Sequence, residues 1–119
     1  MERVGGIIAL KVDGELFRAK GNFTYNVGKP KKDAIVGEDG VHGFKEVPVV
    51  PFIEGEITDS AEISLESLID TRNATATLEL ANGKVIAIQE AFYAGEGTGN
   101  TQEGNIPFRV EGISGEEIR

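Results

Sequence analysis

Apolar and polar residues alternate along most of this chain, and the alternation breaks at turn-forming dipeptides. Ile8, Leu10 and Val12 alternate with Ala9 and Lys11 until Asp13-Gly14 interrupts them. Aspartate followed by glycine supplies the positive φ values of a tight hairpin turn, so Leu16 and Phe17 are expected to open a returning strand. That strand bends at Gly21 and resumes with Phe23, Tyr25 and Val27 alternating against Asn22, Thr24 and Asn26. A period of two is the signature of a strand with one buried and one solvated face.

The periodicity fails over residues 28–48. Pro30, the lysines Lys29, Lys31 and Lys32, then Gly37-Glu38-Asp39-Gly40 and Gly43 interrupt any regular pattern. A connection of this length is unusual and is generally functional or disordered. Val36, Val41 and Phe44 give it apolar content that a solvated linker does not need. The segment therefore reads as a long loop that docks on something, with Lys29, Lys31, Lys32, Asp33, Val36, Val41, His42 and Phe44 as its candidate contact residues.

Regular structure resumes after Pro48 and Pro51, which suit a strand entrance because they lack backbone donors. Glu54 and Glu56 share one strand face, with Ile53 and Ile57 on the other. Ser64 is a helix N-cap candidate, and Leu65, Leu68 and Ile69 follow helical spacing, which predicts a short helix over 64–71. Residues 74–80 alternate Thr75, Thr77 and Glu79 with Ala76, Leu78 and Leu80. Asn82-Gly83 then marks a hairpin. The return strand, 85–93, places Ile86, Ile88 and Phe92 on one face and Ala87, Gln89 and Ala91 on the other. After a glycine-rich turn, Ile106, Phe108 and Val110 form a last strand. About six or seven strands, one short helix and one long loop predict a mainly β fold of two packed antiparallel sheets, sandwich- or barrel-like.

The length of 119 residues fits a single domain over 1–119. The 12 basic and 20 acidic side chains leave a net charge of -8, which disfavours phosphate-neutralising DNA binding. With no cysteine there is no disulfide, thiol nucleophile or zinc-thiolate site, and a lone histidine cannot build a His-based metal cluster. No basic n-region with a long apolar stretch opens the chain, which predicts a protein made in a reducing cytoplasm, without a membrane segment. The Asn22 and Asn73 sequons are then without consequence. Gly95, Gly97 and Gly99 have the wrong spacing for a dinucleotide fingerprint, and strand alternation follows them where a helix is required. Glu54 with Glu56, and Glu116 with Glu117, are near neighbours on exposed segments, whereas carboxylate catalysis needs two groups across a cleft. The chain is accordingly not expected to be an enzyme or to hold a cofactor. Its lysine cluster and many carboxylates point towards self-association.

The order of these features resembles the tail tube proteins of Mu-like contractile-tailed bacteriophages. The likeness rests on the opening hairpin from Gly6 to Glu15, the Gly40-Val41-His42-Gly43-Phe44 segment with Glu46, the strand and turn over 74–84, and the ending Glu103-Gly104 to Phe108-Arg109-Val110-Glu111-Gly112. It implies hexameric rings stacked into a virion tail tube that passes phage DNA. The implied partners are other copies, a sheath, a tape measure protein and the baseplate and terminator proteins, with assembly in the host bacterial cytoplasm. Four strands from each of six subunits give a ring of about 24, and a spacing of roughly 4.8 Å with a tilt of about 40° makes it about 48 Å across. Removing side chains leaves a bore wide enough for a duplex. Six subunits at -8 sum to about -48 per ring, and carboxylates in the bore would repel phosphates. The candidate lumen-facing residues are Glu54 and Glu56, or Thr75, Thr77 and Glu79. The alternatives are the tube protein of a type VI or other contractile injection system, or a monomeric β-sandwich binding module.

Overall fold

The computed structural model describes residues 7–61, 64–99 and 101–118. These form ten strands and one helix: β1 (Ile7–Val12), β2 (Glu15–Phe17), β3 (Ala19–Asn26), β4 (Lys31–Gly37), β5 (Gly40–Val47), β6 (Phe52–Thr58), α1 (Leu65–Ile69), β7 (Ala74–Leu80), β8 (Val85–Tyr93), β9 (Asn105–Glu111) and β10 (Ser114–Ile118). All strand pairs are antiparallel. One sheet runs β2-β1-β7-β8 with β10 along β8, and the other runs β8-β9-β6-β3. The expected two-sheet, mainly β architecture with one short helix is what the chain adopts.

The predicted turns have the chemistry their residues dictate. Asp13 and Gly14 take φ values of 51° and 83°, and Val12 pairs with Glu15 across them. This is the positive-φ pair that matches strand twist. The Asp13 carboxylate accepts the Thr75 N–H at 2.9 Å, which ties the hairpin tip to the start of β7. Gly6 and the side chain of Ile8 lie outside the described residues, so inward alternation in β1 is read on Leu10 and Val12, both buried.

Strand β8 serves both sheets because its backbone turns a corner. Residues 85–89 pair with β10 while Phe92 and Tyr93 pair with β9, and Glu90 between them has φ 51°. A left-handed residue shifts the alternation by one position. Ala91 and Tyr93 therefore point inward and Phe92 is 42% exposed, the reverse of the sequence pattern that grouped Phe92 with Ile86 and Ile88. Arg18, between β2 and β3, makes a second corner, where its carbonyl accepts the Thr58 N–H.

Inner faces of the two sheets meet in one core. Leu10, Ala76, Leu78, Ile86 and Ile88 come from the first sheet, and Ile53, Ile57, Ile106, Phe108 and Val110 from the second. Phe108 is the hub: the rings of Phe17, Phe23 and Tyr93 stand 6.0, 6.2 and 6.3 Å from its own. The Tyr93 hydroxyl donates to the Pro107 carbonyl at 2.6 Å, so its polar end is satisfied while its ring is buried. The helix is shorter than the 64–71 span that its apolar spacing predicts. Ser64 caps it by accepting the Ser67 N–H, and Leu68 is its buried residue. Strand β10 has no apolar alternation to announce it, since backbone pairing with β8 defines it and four of its five residues are exposed.

The largest departure from the sequence reading lies in residues 28–48. This stretch is a β-hairpin, β4 with β5, where a long loop without periodicity is expected. Neither face is covered by a second layer, so no alternation of buried and exposed positions was selected along it.

The Phe108 hub predicts its own sensitivity. Phe108→Ala is expected to cost about 3–5 kcal/mol, the range for emptying a buried aromatic site. Chemical denaturation of the purified variant measures this, with a lower midpoint at unchanged slope as the expected outcome.

Candidate assembly surface

The β4–β5 hairpin is an arm built from its root upward. At the root, Gly28 adopts φ 78° and a Cβ there would sit 2.7 Å from the Pro51 ring, so only glycine lets the two arm connections cross this closely. The Asn26 side chain accepts the Gly28 N–H at 2.7 Å and fixes the exit from β3. Lys31 then pairs with Val47, Lys32 with Glu46, Asp33 with Lys45, Ala34 with Phe44, Ile35 with Gly43 and Val36 with Val41. His42 is the extra residue of a bulge on β5.

Its tip is held by polar contacts. His42 Nε2 lies 2.6 Å from the Asp39 carboxylate, and the imidazole covers Gly37, where a Cβ would clash with the ring. The His42 contact holds the Asp39 carboxyl below its ordinary range. Nearer the root, Lys31 and Asp33 are 3.5 Å apart, and the Lys32 ammonium stands 5.3 Å from the centre of the Phe44 ring.

No residue of the arm is buried, and neither of its strands pairs with a third. Alternation puts Ala34 and Val36 on the same face as their partners Phe44 and Val41, and Ile35 on the other. Val36 and Val41 are 71% and 70% exposed, and Phe44 is 56% exposed. The arm thus brings together Lys31, Lys32, Asp33, Val36, Val41, His42 and Phe44, with Lys29 at its root. Ile35, absent from the sequence-derived set, is a fourth large apolar side chain open to solvent here.

Conversely, the structure separates the two sets of lumen candidates. Glu54 and Glu56 lie on the outward face of the second sheet, opposite Ile53 and Ile57. Thr75, Thr77 and Glu79 lie on the outward face of the first, opposite Ala76 and Leu78. Their carboxylates are engaged. Arg109 bonds Glu111 at 2.7 Å and Glu54 at 2.9 Å while covering the Phe52 ring, and these bonds, that to Glu111 foremost, raise its pKa further. Glu56 accepts from the Asn105 amide, and Glu79 lies 3.9 Å from Lys11. Arg109 was legible in sequence only as the outward residue between Phe108 and Val110; its partners come from the register of β6 on β9.

Beside α1, a shallow cleft is lined by Val12, Glu15, Phe17, Ser67 and Leu68. It holds no convergent pair of acid and base groups. Among the described residues no cluster of histidine and carboxylate side chains could hold a metal ion, and no helix is long and apolar enough to cross a membrane.

The described residues form a two-sheet core that carries a solvent-exposed apolar arm. The chain belongs to the phage tail tube protein family, whose model matches residues 1–117. It is a structural component of the phage tail, not an enzyme, and the family implies assembly with itself and with other tail proteins. No curated protein sequence matches it.

The arm tip gives a local prediction. Since His42 depresses the Asp39 pKa, their contact contributes above the ordinary carboxylate range and is lost as pH falls through the lowered value. In His42→Ala the Asp39 titration, followed by its carboxyl carbon NMR shift, is expected to move upward. An unmoved midpoint would assign the depression to another cause.

Proposed function

We propose that this chain forms hexameric rings that stack into the tail tube of a Mu-like contractile phage, and that the tube carries the genome during ejection. The observation that carries this reading is the arm, because a folded domain has no use for an exposed apolar hairpin unless another molecule covers it. Stacking through Lys29, Lys31, Lys32, Asp33, Val36, Val41, His42 and Phe44 would bury Val36, Val41 and Phe44. It would also give the lysines carboxylate partners.

The second sheet is the proposed lumen wall. It contributes four strands, as the 24-stranded ring requires, and it presents Glu54 and Glu56 outward. Paired charges make that wall milder than the total of -8 suggests. Lys20 and Arg109 nearly balance Glu54, Glu56 and Glu111, leaving about one excess carboxylate per subunit. Such a surface repels phosphates weakly and offers them no ordered cationic site, which suits passage without binding. Thr75, Thr77 and Glu79 then face outward, where a sheath would lie. Tape measure protein inside the tube, baseplate and terminator proteins at its ends, and assembly in the host cytoplasm complete this reading.

Size-exclusion chromatography with negative-stain electron microscopy tests it. Wild-type protein is expected to yield hollow rings or tubes, and a variant lacking residues 34–43 a folded subunit that does not polymerise. A wild-type chain that stays monomeric at high concentration, or normal tubes from the deletion variant, would contradict the proposal.

A further inference from the structure

In the proposed tube, on which this inference rests, the arm meets a second copy, and the strand edges point to where. We infer that β4 adds to β10 of a second copy as its antiparallel neighbour, with Lys31 opposite Glu117 and Lys32 opposite Glu116. Among the described residues β2, β3, β4, β5 and β10 each pair on one side only. On the open side of such a strand, alternate residues direct N–H and C=O groups at no partner. Three of these edges are blunted. Strand β2 is three residues long, β3 shifts register after Lys20 with Gly21 at φ 74°, and β5 carries the His42 bulge with Gly43 at φ 148°. Strands β4 and β10 are regular, with no positive φ and no extra residue. A regular open edge is the kind that accepts another strand.

Charge then selects the register. Strand β4 opens on two consecutive lysines and so carries one cation on each face, while β10 has two consecutive glutamates, one on each face. In the stated register Lys32 lies between Glu116 and its β5 partner Glu46. On the other face Glu117, already 3.5 Å from Lys84, meets Lys31, itself 3.5 Å from Asp33, so the signs alternate. Asp33 falls opposite Gly115 and keeps Lys45 on its far side. No like charges are directly opposed, and each cross-strand pair of opposite sign is favourable. Sliding β4 by one residue sets Asp33 against Glu116 in one direction and Lys32 against Gly115 in the other. Parallel pairing would need Lys29 and Pro30, which precede β4, beside Ser114 and Gly115.

Such pairing would join the arm to the first sheet, in the order β5-β4-β10-β8-β7-β1-β2, and leave the second sheet for the wall. At Gly115 the inner side of β10 is closed, since a Cβ there would stand 2.9 Å from the Val27 carbonyl oxygen, and the edge is what remains open. In the subunit β4 pairs with β5 and β10 with β8, and the two edges do not pair with each other. Because β4 and β10 are different surfaces, a copy that extends its neighbour's sheet still offers its own β10 to a third. Head-to-tail contact of this kind closes rings or propagates.

The chain has no cysteine, which permits a direct test. Ala34→Cys and Ser114→Cys subunits, whose substituted positions face each other in this register, are purified separately, mixed and assembled. Negative-stain microscopy confirms the particles before a short bifunctional thiol reagent is added. A link between positions 34 and 114 of different copies is expected in the particles, and much less of it when Ile35→Cys, on the opposite face, replaces Ala34→Cys. Independently, Lys32→Glu is expected to raise the concentration needed for assembly several-fold, and Glu116→Lys in the same chain to lower it again. Particles without the 34–114 link, an assembly threshold that Lys32→Glu leaves unmoved, or one that Glu116→Lys fails to lower would overturn the edge pairing while leaving the tube reading intact. A wild-type chain that forms no assembly would refute the tube reading, and this inference with it.

Discussion

Two paired strands with no third neighbour and no layer packed across them cannot bury a face, and an isolated hairpin of this kind is marginal in water. Residues 31–47 are such a pair. Their ladder, the His42–Asp39 contact at the tip and the Gly28–Pro51 crossing at the root give the arm a defined shape. None of them removes Val36, Val41 and Phe44 from water. Burial of about 25 cal/mol per Å² of apolar surface is forgone in the free subunit and becomes available on association. The arm is therefore folded in the subunit with its apolar surface still exposed.

The sandwich beneath needs no such help. Its two inner faces meet around Phe108, its buried polar side chains are satisfied within the described residues, and its corners at Arg18 and Glu90 hold the sheets together. This division of labour suits a tail tube subunit. In the proposed tube, the sandwich would fix the geometry of the wall and the arm would reach a neighbour. On the sheet faces, Arg109 pairs with Glu54 and Glu111, and Lys11 with Glu79.

Much of the sandwich was legible because burial writes a period of two into a strand. Leu10 with Val12, Ile53 with Ile57, and Ile106, Phe108 and Val110 all point inward as their alternation predicts. Where backbone conformation intervenes, the pattern misleads. Glu90 adopts a left-handed φ that its residue type does not advertise, and the faces of Phe92 and Ala91 exchange. The strand character of β10 comes from pairing with β8, so its Ser-Gly-Glu-Glu-Ile sequence carries no signal. The arm residues were recognisable by composition, as apolar and basic side chains in an otherwise unpatterned stretch. Their hairpin form was not, since an uncovered hairpin imposes no inward face. Pairing of Glu54 with Arg109 was equally hidden, because partners 55 positions apart meet only through the register of β6 on β9.

Amide hydrogen exchange measures the central claim directly, by comparing soluble subunits with assembled particles. In the free subunit, exchange over residues 31–47 is expected to be much faster than over β6, β8 and β9, whose amides sit in the core. On assembly the arm should become strongly protected while the sandwich changes little. An arm that exchanges equally fast in both states would show that assembly leaves it uncovered, and would contradict the account.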